Sequence, residues 1–283
     1  MDKKRIILGL SLAVIICSAV LFIPAGNIAV LLVLMAVCGL AMQEVYELME
    51  KGELPASKKM GMTSGLLFVA ATWVTLKYEL PESVLWSALL LIFLVNFFRI
   101  FLYSDARIAV RNVTGTMFGL VYVALFWSFF VRLYMDGGAD APARTAFYLI
   151  LAVKWGDAGA YFIGSRFGKR SLAPAISPNK SWEGLFGGIL FSCVVGVLWW
   201  WLSKGTLGPY QFPLYHALIL GIALPIIGTL GDLVESLFKR AVDVKDSGAI
   251  AHGMGGMLDM IDSLLFTAPF MYVYIQFLGE VVR

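Results

Sequence analysis

Acidic and basic side chains are concentrated in residues 231–263, GDLVESLFKRAVDVKDSGAIAHGMGGMLDMIDS, which lie between two apolar stretches. Four polar residues near the start of this segment are related by spacings of three and four: Asp232, Glu235, Ser236 and Lys239. Such spacings place side chains on one face of a helix. Beyond a glycine-rich turn, Asp259 and Asp262 are three residues apart and share a face in the same way. Converging carboxylates of this kind suit Mg²⁺, which takes oxygen ligands and substrate phosphates.

Cations that suit phosphate groups lie in the same segment. The candidate catalytic residues are Lys239, Arg240, Lys245 and Asp246. Gly255 and Gly256 allow a turn whose backbone can approach a ligand closely. A simpler interpretation of the last two aspartates is that acids in the first turn of a helix complement its dipole. Carboxylates, glycines and cations together favour a metal and phosphate site.

A second charged segment, residues 154–184, precedes this one. Lys154 and Asp157 share a helical face, either as an ion pair that stabilises helix packing or as part of a site. Ser177 before Pro178 is typical of a helix N-terminus, where free N–H groups bind anions. The basic residues around Lys169 are also explained by a solvated loop at the membrane surface.

Both segments contribute to one predicted site. Its candidate substrate-binding residues are Lys169, Ser177, Lys180, Ser236, Gly255 and Gly256. Its candidate metal ligands are Asp246, Asp259, Asp262, Asp232 and Asp157. The sequence has no Ser-His-Asp or Cys-His combination, no zinc-ligand spacing and no P-loop or GxGxxG motif. Hydrolase and P-loop mechanisms therefore have no support.

The elements that must position these residues are membrane helices. Hydrophobic residues make up 60% of the chain and charged residues only 14%, against about 25% in soluble domains. Apolar runs long enough to cross a bilayer recur along the chain. The predicted fold is an all-α polytopic integral membrane protein with about nine transmembrane helices. The predicted spans are 6–23, 28–49, 61–78, 83–101, 113–134, 145–163, 184–202, 214–235 and 259–279.

The distribution of lysine and arginine predicts the orientation. With the N-terminus inside, 16 of the 22 lie in inner segments, 5 in outer segments and 1, Lys154, within a span. Cytoplasmic loops are enriched in these residues, so the N-terminus is predicted to be cytoplasmic and the C-terminus outside. The loops 164–183 and 235–259 then share the cytoplasmic side. We expect a multi-pass protein of the inner (plasma) membrane whose active site faces the cytoplasm.

The chain is predicted to be one continuous membrane domain with two regions. Residues 141–283 hold the predicted catalytic site, whereas the helices of residues 1–140 are candidates for a lipid entrance or an oligomer interface. The net charge of +3 is too small to indicate nucleic acid, and the basic residues suit anionic membrane lipids. The sequence leaves the oligomeric state open, and a homodimer is a candidate assembly.

The charged C-terminal pattern resembles the signature of a known family, the phosphatidate cytidylyltransferases or CDP-diacylglycerol synthases. The pattern reads Ser236-x-x-Lys239-Arg240-x-x-x-x-Lys245-Asp246-x-Gly248, then Gly255-Gly256-x-x-Asp259-x-x-Asp262. The stretches KWGD at 154–157 and SPNKSWEG at 177–184 are similar to other recurring segments of that family. The resemblance implies that CTP and phosphatidic acid react to give CDP-diacylglycerol and pyrophosphate, with Mg²⁺ as cofactor.

Two positions depart from the family pattern. The family has proline-x-histidine before the paired glycines, where this chain has His252-Gly253-Met254. The family has arginine between the last two aspartates, where this chain has Met260. The resemblance therefore assigns no role to that histidine or arginine here.

Four other functions are the alternatives to this one. A CTP-dependent membrane lipid kinase, for polyprenol or phytol, or an ether-lipid cytidylyltransferase would need a similar metal and phosphate site. A CDP-alcohol phosphotransferase fits less well, because its last two aspartates are four apart rather than three. A secondary transporter is disfavoured, since transporters carry midplane charges in two repeated halves, whereas the charges here lie in one half.

Overall fold

A computed structural model describes residues 23–243 and 256–281, with side chains up to residue 277. The longer helices are α1 (Ile28–Lys51), α2 (Lys58–Lys77), α3 (Glu82–Phe98), α4 (Ala106–Gly119), α5 (Phe126–Met135), α6 (Arg144–Phe167), α7 (Trp182–Leu202), α8 (Leu214–Ala241) and α9 (Met257–Val281). A 3₁₀ turn over Arg99–Leu102 extends α3, and a π-helical turn over Leu120–Leu125 joins α4 to α5.

Seven helices in the described part of the chain are long and apolar enough to cross a membrane. They are Ile28–Lys51, Glu82–Leu102, Ala106–Met135, Arg144–Phe167, Trp182–Leu202, Leu214–Ala241 and Met257–Phe277. Each coincides with a predicted span, so the prediction of a helical membrane protein is confirmed. The predicted span 61–78 forms α2, which falls outside this set of seven, and the predicted span 6–23 lies outside the described residues.

Two short antiparallel hairpins are the exceptions to the all-helical prediction among the described residues. In the first, β1 (Ser171–Ala173) pairs with β2 (Ser177–Ser181), and in the second β3 (Thr206–Leu207) pairs with β4 (Tyr210–Gln211). The hairpins lie at opposite ends of α7. The prediction that Ser177 starts a helix is wrong, because Ser177 and Pro178 belong to β2. Ser181 takes that role: its backbone is extended and its side chain accepts the Gly184 N–H, so α7 begins at Trp182.

Glycines let the helices that surround the charged segments approach closely. A Cβ atom on Gly187 of α7 would lie 2.5 Å from the Cβ of Ile163 and 2.8 Å from the carbonyl oxygen of Gly159, both on α6. A Cβ atom on Gly231 of α8 would lie 2.7 Å from the Asp262 carbonyl oxygen on α9. Small residues permit such close packing between membrane helices. α9 packs against α1, α5, α6 and α8, and so connects the two regions of the chain.

Candidate active site

A cavity of about 770 Å³ lies between α6, the first hairpin, α7, α8 and α9. Charged side chains line it: Lys154, Asp157, Lys180, Asp232, Glu235, Lys239, Asp259 and Asp262. With every group ionised, three lysines and five carboxylates give a net charge of +3 − 5 = −2. A charge of this kind in a membrane protein is costly unless it is balanced, which makes the cavity a functional-site candidate.

Three carboxylates meet at the point where α8 and α9 approach. Oxygen atoms of Asp232, Glu235 and Asp262 lie within 4.8 Å of one another. Asp232 and Glu235 project together because they are three residues apart on α8, and the close approach at Gly231 brings Asp262 beside them. Glu235 is 1% exposed, and its Oε1 atom has no hydrogen-bond partner among the described residues. These oxygens form a potential cation site.

Lys239 joins the two helices beside this cluster. Its Nζ atom lies 2.9 Å from Oε2 of Glu235 and 2.5 Å from Oδ1 of Asp259. The other carboxylate oxygen of Asp259 accepts the N–H of Gly256 at 2.7 Å. Asp259 therefore orients the Lys239 ammonium group and the first turn of α9, whereas Asp262 belongs to the carboxylate cluster.

Lys180 brings a second cation to the site from the hairpin. Its Nζ atom lies 2.6 Å from Oδ2 of Asp232, and the Oγ atom of Ser236 donates to Oδ1 of the same carboxylate at 3.3 Å. The hairpin connects α6 to α7, and β2 carries Lys180 immediately before α7 begins. Ion pairs that line a cavity can exchange their carboxylate partner for a phosphate, because both are anionic oxygen groups.

Lys154 and Asp157 face the cavity from α6. Nζ of Lys154 lies 3.5 Å from Oδ2 of Asp157, which confirms the predicted shared helical face. Both side chains are about half exposed, at 41% and 50% of their surfaces. The pair is therefore not buried between helices, and both residues belong to the cavity lining.

Several predicted site residues lie away from the cavity wall. The backbone N–H groups of Lys169 and Arg170 donate to the Glu183 carboxylate at the start of α7. Ser177 begins β2, and Arg240 is exposed near the end of α8; neither belongs to the described lining, and nor does Lys169. Lys245, Asp246 and Gly255 lie outside the described residues.

Two charged residues of the cavity lining, Glu235 and Lys154, were not among the candidate site residues. Glu235 has a detectable sequence signal, because it is three residues after Asp232 and four before Lys239. Lys154 also has one, since a lysine within an apolar span is costly and marks functional positions. Outside the cavity, Glu44 of α1 contacts the start of α9, and no local sequence pattern predicts this contact.

The sequence matches the model of the Cytidylyltransferase family over residues 3–278. A phosphatidate cytidylyltransferase of Bacillus subtilis is 39% identical over 153 residues, which are 54% of this chain and 54% of that protein. One of Thermotoga maritima is 37% identical over 181 residues, 64% of this chain and 65% of that protein. One of Staphylococcus haemolyticus is 32% identical over 241 residues, 83% of this chain and 86% of that protein.

The match thus spans about half of the Bacillus protein and just under two thirds of the Thermotoga protein, but most of the Staphylococcus protein. The family model covers the cavity, both hairpins and every helix of the described structure from α1 to α8, together with most of α9. The match over residues 3–278 shows that the chain belongs to the cytidylyltransferase family.

Proposed function

We propose that this protein transfers the cytidylyl group of CTP to phosphatidic acid, giving CDP-diacylglycerol and pyrophosphate for phospholipid synthesis. The observation that carries this proposal is the convergence of Asp232, Glu235 and Asp262 beside Lys180 and Lys239 in one cavity. Such a set suits the binding of a metal with a polyphosphate. The family and the names of the relatives support CTP and phosphatidic acid as the substrates.

A magnesium ion fits the described residues. The three converging carboxylates are hard oxygen ligands, one oxygen of Glu235 has no hydrogen-bond partner among the described residues, and the lining has more carboxylates than lysines. We assign Asp232, Glu235 and Asp262 as ligands, with Asp157 and Asp259 beside them and Asp246 as a ligand proposed from sequence. When bound, the ion supplies positive charge that offsets the repulsion between the two phosphate-bearing substrates.

The reaction needs no dedicated base in this arrangement. The phosphate of phosphatidic acid is largely ionised near pH 7, since the second pKa of a phosphate monoester is about 6. Its oxygen attacks the α-phosphorus of CTP, a new P–O bond forms, and the bond to the β-phosphate breaks with release of pyrophosphate. The residues then act by aligning two anions and stabilising the leaving group.

The lysines that now pair with carboxylates are the proposed phosphate ligands. Lys239 and Lys180 would exchange a carboxylate contact for the phosphates of CTP or phosphatidic acid. Arg240, Lys245, Lys169 and Ser177 remain proposals from the sequence pattern, as do Ser236, Gly255 and Gly256. Lys154 pairs with Asp157, three residues later on α6, and balances the charge of that carboxylate.

We propose that the cavity opens on the cytoplasmic side of the inner membrane and that phosphatidic acid enters it from the bilayer. The excess of lysine and arginine on one side of the spans supports this orientation. Tyr161 lines the cavity and is 79% exposed, which suits a lateral route for a lipid. A homodimer is compatible with this proposal, and the cavity described here is formed by residues of one chain.

The test is a transfer assay with the purified protein in detergent, phosphatidic acid, Mg²⁺ and CTP labelled at either the α- or the γ-phosphorus. We expect label from the α position in the lipid, with pyrophosphate released only when phosphatidic acid is present. Label from the γ position in the lipid would indicate a kinase. Transfer to an ether lipid but not to phosphatidic acid would show that the ether lipid is the substrate. No label in any lipid acceptor from either position would contradict both enzymes and favour a transporter.

A further inference from the structure

The first N–H groups of α9 have their acceptor on a distant helix. Met257 N donates to Oε1 of Glu44 at 2.8 Å, and Leu258 N donates to Oε2 at 2.8 Å. Glu44 lies in α1, and only 6% of its surface is exposed. The contact joins a residue of the region 1–140 to the helix that carries Asp259 and Asp262.

The local sequence explains why this acceptor must come from another helix. The first N–H groups of a helix have no partner within it, and a Ser, Thr, Asp or Asn side chain before the helix commonly accepts one of them. Gly256 precedes α9 and has no side chain to do so. Asp259 accepts the N–H of Gly256, as the third residue of a capping box does. Glu44 accepts the next two N–H groups with its two oxygens.

We infer that Glu44 is a positioning residue for the candidate metal cluster, an inference that rests on the proposed function. Its two charge-assisted hydrogen bonds fix the position of the first turn of α9 along the helix axis and its rotation about that axis. Asp259 lies in that turn and Asp262 in the next, so a shift of the first turn moves both carboxylates relative to Glu235 on α8. The helix dipole also favours a carboxylate at this position. Glu44 acts through the α9 backbone, where it accepts the N–H groups of Met257 and Leu258.

The test compares Glu44→Gln with a matched control in the full chain. A glutamine has one carbonyl oxygen and an NH₂ group, so one of the two α9 N–H groups loses its acceptor. We expect the Mg²⁺ concentration for half-maximal activity to rise about tenfold, as is common when a residue that orients metal ligands is changed. We also expect faster hydrogen exchange at residues 256–262. Glu47→Gln changes the same residue type on α1, where the carboxylate pairs with Lys58 at 2.9 Å, and should produce neither effect.

Equal Mg²⁺ dependence and equal exchange in Glu44→Gln and Glu47→Gln would overturn the inference. If Glu44→Gln does not fold, Glu44→Asp is used, since it keeps the charge but withdraws the oxygens by one methylene. Wild-type values of both measurements in Glu44→Asp would equally overturn it. Asp262→Asn separates the two proposals: an unchanged Mg²⁺ response there would remove the metal assignment, whereas faster exchange in Glu44→Gln would still establish the cap.

Discussion

The Nζ atom of Lys180 lies 2.6 Å from Oδ2 of Asp232, which places a cation from the first hairpin against the carboxylate cluster of α8 and α9. The hairpin connects α6 with α7, and its second strand ends where α7 begins. A short irregular segment between two membrane helices thereby supplies a side chain to the centre of the cavity. Lys169, only eleven residues earlier, belongs to the same loop but not to the described lining.

Lys180→Ala is therefore expected to lower kcat/KM for CTP by about 100-fold, because removing one positively charged donor from a phosphate site has effects of this size. Arg170→Ala is the matched control from the same loop. The Arg170 backbone N–H contacts Glu183, and this contact does not need the arginine side chain. We expect Arg170→Ala to stay within about twofold of wild type, as exposed substitutions usually do. Equal losses in both variants would place the phosphate contact elsewhere in the loop.

Asp262→Asn is expected to abolish transfer, because it removes one of the three carboxylates that converge. Chelation of divalent cations should have the same effect on the wild-type protein, and added Mg²⁺ should restore activity. Asp243→Asn is a matched control: Asp243 is exposed, and its φ of 54° suits asparagine as well as aspartate. The activity of both variants is measured as a function of Mg²⁺ concentration. Full activity of Asp262→Asn would exclude Asp262 as a metal ligand.

Gly187→Ala is expected to destabilise the packing of α6 against α7 by about 1–3 kcal/mol, the usual range for an overpacked contact. The added Cβ atom would lie 2.8 Å from the backbone oxygen of Gly159, which cannot turn away as a side chain does. Gly228→Ala on α8 is the control, since its Cβ atom would meet Ser263 at an ordinary 3.5 Å. Alanine favours a helix over glycine by up to about 1 kcal/mol, so this control should be neutral or stabilising. Thermal unfolding in detergent measures both, and a lower Tm for Gly228→Ala than for Gly187→Ala would contradict the packing argument.

The two hairpins are expected to lie on opposite sides of the membrane, because they flank α7 at its two ends. Asn179 in β2 and Gln211 in β4 are both exposed and suit substitution by cysteine. In a background without Cys17, Cys38 and Cys193, an impermeant maleimide should label Gln211→Cys in intact cells. It should label Asn179→Cys only after the membrane is opened. Labelling of Asn179→Cys in intact cells would reverse the proposed orientation.

Local periodicity made much of the site predictable from the sequence. Asp232, Glu235 and Lys239 share a face because a helix returns to the same side after three or four residues, and α8 is helical through Ala241. The positions of the seven apolar helices, though not all of their boundaries, followed from hydropathy, since a span needs only a continuous apolar run. The helix start predicted at Ser177 was wrong because this residue pairs with β1 as part of β2, and Ser181 caps α7 instead.

The sequence by itself determined the class of membrane protein, the helical faces that carry charge and the chemistry those charges suit. Only the tertiary structure decided which charges meet, because this depends on how each helix is rotated and how closely its neighbours approach. Gly231 lets Asp262 reach Asp232 and Glu235, while Asp259, three residues away on the same helix, contacts Lys239. Glu44 and Met257 are 213 residues apart, and no local pattern relates them. Their contact exists because α1 packs against the start of α9, whose free N–H groups need an acceptor that Gly256 cannot provide.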